Sequence, residues 1–285
     1  MSEPPRTARR LVVTADDVGI HRGLTLGAVA AYERGIVTAC SVVADGADFD
    51  AAATLLRDRE ALAAGVHLRL VDGRPCCAPG EVPTLVEPGG AFAPGYPQFV
   101  GRYLAGKVDL ADVERELRRQ IELVVDAGLR VRHLNSHQHV HMLPGVFRTV
   151  AKLAEEFGVR YVRLSVDRGG AAGSAPRRLA LAALALLGRI DRRRARRRGV
   201  AVCDGTIGIA AAGRLDVGRI AALLPRVAGL TELVCHPGLD QPALAAALGW
   251  GYAWELEVEA LCDPAARAAL ETEGIELTSP AAFEQ

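Results

Sequence analysis

The chain has 285 residues, 50% of them hydrophobic and 24% charged, the balance of a folded globular protein, which excludes disorder and collagen-like architecture. Thirty-four basic residues offset thirty-four acidic ones, and aromatics are only 5%, so neither a net field nor a stacking surface recommends nucleic acid as a partner.

Short β-rich runs alternate with longer helical patterns. The first run, residues 11–15, opens just after Arg9-Arg10 and ends at Asp16-Asp17, so it lacks the apolar core of a secretory signal and cytoplasmic residence is the expectation. Further strands are expected at 38–43, 65–68, 131–136, 160–164, 200–203, 232–235 and 275–277. Helical patterns fall at 25–34, 48–62, 110–127, 145–157, 179–198, 217–227 and 264–273. This βα alternation predicts a mostly parallel sheet of seven or eight strands wrapped by helices.

No fixed-period repeat and no linker composition interrupts the pattern, so one domain over 1–285 is expected. Pro- and Gly-rich residues 73–95 lack any period and read as a long excursion of the kind that covers active sites. The longest apolar run, 179–187, falls far short of the roughly 20 residues that span a bilayer. It continues into Arg189, Arg192, Arg193, Arg194, Arg196, Arg197 and Arg198. The plain reading of 179–198 is a packed helix with a solvated basic end; the sharper ones are peripheral contact with an anionic membrane surface or a second copy of the chain. The six cysteines (Cys40, Cys76, Cys77, Cys203, Cys235 and Cys262) form no Cys-x-x-Cys pair and read as reduced, mostly buried thiols.

Six of the seven histidines lie on or just after expected strands, and strand C-termini face the active site in parallel α/β architectures. If residues 132–141 are extended, His133, His137, His139 and His141 share one face. Positions two apart are then about 6.6 Å apart, too far for one ion to take all four. His137, at the strand end, is the expected ligand. His139 and His141 are expected to support the ligand or touch substrate, and His133 to lie in the core.

Asp16 and Asp17 would face opposite ways on a strand, but the turn at Val18-Gly19 can bring both into one pocket, one on a metal and the other on its water as general base. The alternative is a cap for the helix that follows. Asp17, His67 and His137 together supply a carboxylate and two imidazoles, a set that leaves open positions for water and substrate. His236, after the seventh strand, is placed to act as general acid.

Taken in order, Thr14-Ala15-Asp16-Asp17-Val18-Gly19, Gly65-Val66-His67-Leu68, the run from His133 to Pro144 and Cys235-His236-Pro237-Gly238 resemble the YdjC-like carbohydrate deacetylases over nearly the whole chain. That family includes chitooligosaccharide and hopanoid-associated deacetylases. The resemblance implies a distorted (β/α) barrel, one divalent metal ion held by Asp17, His67 and His137, and removal of the N-acetyl group from an amino sugar. Looser similarity to the NodB-type polysaccharide deacetylases implies Asp16 as base, His236 as acid and Arg163 as the residue orienting the base. The YdjC-like pattern often has an Asp near substrate where Asp204 stands, and commonly Asn where this chain has Arg69, a change that bears on the substrate charge accepted. The ligand set suits Zn, Co, Mn or, less comfortably, Mg. Two rivals stand beside this reading: a non-haem iron oxygenase, whose all-β scaffold does not suit βα alternation, and a non-catalytic sugar-binding module on the same fold.

Overall fold

The computed structural model describes residues 8–169 and 175–283, without the side chains of 176, 177, 180 and 181. The one-domain expectation extends over 1–7, 170–174 and 284–285, which lie outside the described residues.

Among the described residues, eight strands form one sheet: β1 (Arg10–Val18), β2 (Ala39–Val42), β3 (Ala63–Leu68), β4 (His133–Ser136), β5 (Tyr161–Val162), β6 (Gly205–Ile207), β7 (Leu230–Cys235) and β8 (Glu276–Thr278). Their spatial order is β5-β4-β3-β2-β1-β7-β6, with β8 paired to β1, and every ladder among the described residues is parallel. Parallel bridges from Tyr161 to Ala201 and from Asp167 to Thr206 join the two ends of this path, so the sheet curls into a distorted barrel. The sixth strand was expected at 200–203; there only Ala201 bridges, and the ladder to β7 starts at Gly205, where the chain comes into register with Thr231.

Among the described residues, ten α-helices surround the sheet: α1 (Arg22–Arg34), α2 (Phe49–Arg57), α3 (Tyr96–Leu104), α4 (Leu110–Asp126), α5 (Pro144–Glu156), α6 (Ala175–Arg197), α7 (Val217–Leu223), α8 (Gln241–Leu248), α9 (Trp254–Cys262) and α10 (Pro264–Thr272). Several start on a side chain that accepts an otherwise unpaired backbone N–H, as Asp109 does for α4, Asp216 for α7 and Asp263 for α10. His21 caps α1, through Nδ1 accepting from Gly23 N. The cap alternative for Asp16-Asp17 therefore falls away. Helices α3, α8 and α9 are additional to the expected pattern. No described helix is long and apolar enough to cross a membrane.

β1 runs through the middle of the sheet, with Leu11, Val12, Val13, Ala15 and Val18 fully buried in the main apolar core. Near-continuous apolar strands of this kind are what a parallel sheet covered on both faces requires. The excursion at 73–95 is tied down: Glu116, fully buried, accepts from Cys76 N and Cys77 N, while Asp112 accepts from Thr84. All six cysteines are free; Cys40, Cys203 and Cys235 are buried and the other three half-buried.

Candidate metal centre

The C-terminal ends of β4, β3, β1 and β7, close together in the sheet, deliver the chemistry-bearing side chains to one place. Asp16 and Asp17 are near the end of β1, His67 is the penultimate residue of β3, and His137 and His236 follow β4 and β7 directly. Asp17 has φ 65, a left-handed conformation that lets adjacent carboxylates turn toward one pocket.

Asp17 Oδ1 lies 3.2 Å from Nε2 of His67 and 2.9 Å from Nδ1 of His137. Donors around an ion with bonds near 2.1 Å stand about 3 Å apart, so the three fit one divalent cation. They are the one such cluster of three or more His, Cys, Asp or Glu among the described residues. All three are buried, so the donor atoms are shielded from bulk water.

The group of side chains behind the donors fixes their protonation. Asn135 Nδ2 donates to Asp16 Oδ1 (3.0 Å) and to Ser41 Oγ (3.1 Å), so Asn135 Oδ1, 2.7 Å from His67 Nδ1, accepts that ring's proton. Nε2 of His67 is thereby left with a lone pair toward Asp17. Asp16 Oδ1 also accepts from Ser41 Oγ at 2.7 Å and from Arg163 Nη2 at 2.8 Å, while Oδ2 takes Arg163 Nη1 at 2.5 Å. Burial by itself would raise the Asp16 pKa, but the Arg163 guanidinium holds it well below the carboxylate range. Arg163 is fully buried and its Nε also donates to Glu232 at 2.9 Å. Burial likewise opposes ionisation of His137, yet the Asp17 carboxylate pushes its pKa up to about 9.

His236 Nε2 stands 3.8 Å from Asp17 Oδ2, and the His236 backbone N–H donates to the buried Glu257 at 2.6 Å. Trp250 and Tyr252, both half-buried, complete the wall: their rings lie 5.5 Å from the His137 ring and 5.3 Å from the His236 ring.

Not every expected contact reaches this pocket. The shared face of 133–141 fails because β4 ends at Ser136, and Gln138 (φ 49) and His139 (φ 58) turn left-handed. His141 is fully buried, its Nδ1 2.6 Å from Ser136 Oγ and its Nε2 3.0 Å from Arg163 O, so it holds the turn and is not free for substrate. Asp204 sits at the opposite end of the sheet, before β6, where Oδ2 accepts from Leu230 N and Oδ1 pairs with Arg192; it is no substrate contact. Arg69 is turned into an ion pair with Asp45 at 3.2 Å. His139 is half-buried, with Nδ1 3.0 Å from Ser165 Oγ. His133 is buried without a hydrogen bond to either ring nitrogen among the described residues. Asn135, Glu232, Asp72 and Trp250 were absent from the sequence reading. Asn135, two positions before His137 in the short strand His-Leu-Asn-Ser, carried a local signal.

A model of the YdjC-like protein family matches residues 10–272. A human protein named carbohydrate deacetylase is 34% identical over 95% of this chain and 90% of its own length. A chitooligosaccharide deacetylase from Salmonella paratyphi B is 34% identical over 56% of this chain and 60% of its own. Among solved structures, an Enterococcus faecalis V583 protein described in connection with cellobiose-phosphate cleavage superposes with a TM-score of 0.79, covering 97% of this chain and 99% of that one at 24% identity; that likeness establishes the fold. With a family match over most of its length and the same fold, this chain belongs to the YdjC-like family.

Proposed function

We propose that this chain, acting as one domain, is a metal-dependent carbohydrate N-deacetylase that hydrolyses the N-acetyl group of an amino sugar to acetate and a free amine. The observation that carries the reading is the donor triad of Asp17, His67 and His137 beside a second, ionised carboxylate and an imidazole. Relatives named carbohydrate deacetylase and chitooligosaccharide deacetylase support the substrate class. A divalent ion at the triad supplies Lewis-acid polarisation of the amide carbonyl and a lowered pKa for water, and Zn, Co, Mn or Mg are the candidates.

The protein's own groups do the rest. Asp16 takes the proton of the attacking water, Oδ2 being the oxygen whose one hydrogen bond among the described residues is to Arg163. Arg163 fixes that carboxylate from below and keeps it ionised. His236, through Nε2, protonates the departing nitrogen, so the C–N bond breaks with the electron pair on a neutral amine. The aromatic faces of Trp250 and Tyr252 offer a pyranose ring an apolar wall beside the reacting centre.

The parallel α/β scaffold removes the oxygenase rival, which belongs on all-β folds. Against a non-catalytic sugar-binding module, acetate release decides: N-acetylglucosamine oligosaccharides and a lipid-linked N-acetylglucosaminide, incubated with protein and Zn, Co or Mn, are expected to yield acetate. No release from any of them with any of these metals would leave the binding-module reading in its place. The lipid-linked arm also bears on α6, where Leu179, Leu186 and Ile190 are exposed beside Arg189 and Arg193, a face suited to peripheral contact with an anionic membrane surface.

A further inference from the structure

Asp72 stands four residues beyond the end of β3, the strand that carries His67, and the fold sets it against the other imidazole. Its Oδ2 is 3.4 Å from Nε2 of His137, while Nδ1 of the same ring is 2.9 Å from Asp17 Oδ1. At 3.4 Å this is a charge contact just short of a well-formed hydrogen bond, and Nε2 is buried with no hydrogen-bond partner among the described residues. His67 is arranged alike, with one nitrogen toward Asp17 and the other held by Asn135 at 2.7 Å. Metal-ligating imidazoles give their far N–H to a carboxylate or carbonyl, which fixes tautomer and ring plane. Asn135 does this for His67, and His137 has Asp72 in the corresponding place.

We propose that Asp72 is a positioning residue for the metal centre: it keeps the proton of His137 on Nε2 and thereby leaves the Nδ1 lone pair for a divalent ion. The turn that presents it is built for the purpose. Asp72 adopts φ 56, a left-handed conformation that Asp tolerates better than most residues. A Cβ on the following Gly73 would lie 2.5 Å from Cζ of Arg69 and 2.6 Å from Oδ2 of Asp45, so the turn packs down on that ion pair. The excursion grips it from above, with Asp72 N donating to Ala93 O at 2.8 Å and Phe92 N to Gly73 O at 2.9 Å. Its far end reaches the other partner, where Tyr96 N donates to Gln138 Oε1 at 2.7 Å, one residue past His137. Residues 73–95 thus tie the carboxylate and the imidazole into one frame.

The inference rests on the metal-site part of the proposed function, and its test needs no substrate. Zn2+ affinity is measured by competition with a chromophoric chelator, and the 15N signature of His137 is read in the Zn-loaded protein. Asp72→Gly keeps the left-handed turn without the carboxylate; Asp72→Asn keeps the turn and a carbonyl acceptor. Wild type is expected to show Nδ1 ligated and Nε2 protonated. Asp72→Gly is expected to bind Zn2+ about 10- to 100-fold more weakly and to expose the Nε2 proton to fast exchange, with Asp72→Asn between the two. Ligation through Nε2 in wild type, or unchanged Zn2+ affinity in Asp72→Gly, would overturn the inference alone. Wild-type protein that takes up no Zn2+ would overturn the inference together with the metal site beneath it.

Discussion

Asn135 Oδ1 lies 2.7 Å from Nδ1 of His67, and the same amide donates through Nδ2 to Asp16 at 3.0 Å. One side chain therefore sets the tautomer of a proposed metal donor and orients the carboxylate beside it. Asn135→Ala removes both bonds at once. Loss of a group that orients a ligating histidine costs about 10- to 100-fold in metal affinity. Zn2+ competition titration is expected to show that loss, and acetate release at saturating metal to remain depressed because Asp16 has lost a donor. Wild-type affinity in Asn135→Ala would show that the His67 tautomer is set elsewhere.

Arg163 is the sole cation bridging Asp16 and Glu232 among the ion pairs described, and all three are buried. Arg163→Met leaves two carboxylates buried without their counterion. Breaking a buried pair from one side costs about 3–5 kcal/mol. Urea unfolding is expected to show a loss of that size, and the Asp16 pKa to rise once the guanidinium that depresses it is gone. A variant as stable as wild type would mean that the cluster is wetter or looser than its geometry indicates.

The alternation of strands and helices is legible because each parallel strand is an apolar run covered on both faces, a pattern that local composition carries. So are Asp17, His67 and His137, because strand ends are where such a sheet gathers polar side chains. What fails is the extension of a period-two pattern beyond its strand: His139 and His141 were placed on the His137 face, yet the chain turns left-handed at Gln138. Asp204 fails for a related reason, since the ladder to β7 begins only at Gly205 and puts Asp204 at the wrong end of the sheet. Glu232 and Trp250 matter through partners about seventy and more than a hundred residues away, Arg163 and His137, and no local window contains both members of such a pair. Asp72-Gly73 does carry a turn signature, but a turn does not announce which side chain it presents.

Stability is expected to fall as pH drops from about 6.5 to about 4. Burial above all lowers the pKa of His133 to about 4 and that of His141 to about 4, from 6.5 in the unfolded chain. Between those values the unfolded state binds protons that the folded state refuses, so stability is fully present above 6.5 and is lost as pH falls toward 4. Each histidine contributes up to ~3 kcal/mol to that slope, by the energy equivalent of a pKa shift. In metal-free protein His137 works in the opposite sense: raised to about 9, it stabilises below 6.5 and loses that contribution as pH rises through 9. Urea midpoints from pH 7 to 4.5 in wild type and in His133→Leu separate these effects, the variant being expected to show the shallower decline. An equal decline in both would remove His133 from the account.

Gly27 couples the packing of α1 to the position of the proposed acid. A Cβ at Gly27 would lie 2.4 Å from Gly238 Cα, 2.5 Å from Gly238 N and 2.6 Å from Pro237 C, all backbone atoms directly after His236. No side-chain rotation relieves such a contact, so in Gly27→Ala either α1 or the 236–238 segment moves. Overpacking of this kind costs about 1–3 kcal/mol. The segment after β7 gives way more readily than a helix packed against α9, and its displacement carries His236 away from Asp17, from which Nε2 is 3.8 Å distant. Gly27→Ala is therefore expected to keep its Zn2+ affinity, because Asp17, His67 and His137 hang from other strands, and to lose kcat by more than its KM changes. Steady-state acetate release with Zn2+ titration on the same preparation distinguishes this from general destabilisation, which would weaken metal binding as well. Loss of both together would remove the acid-specific account of Gly27.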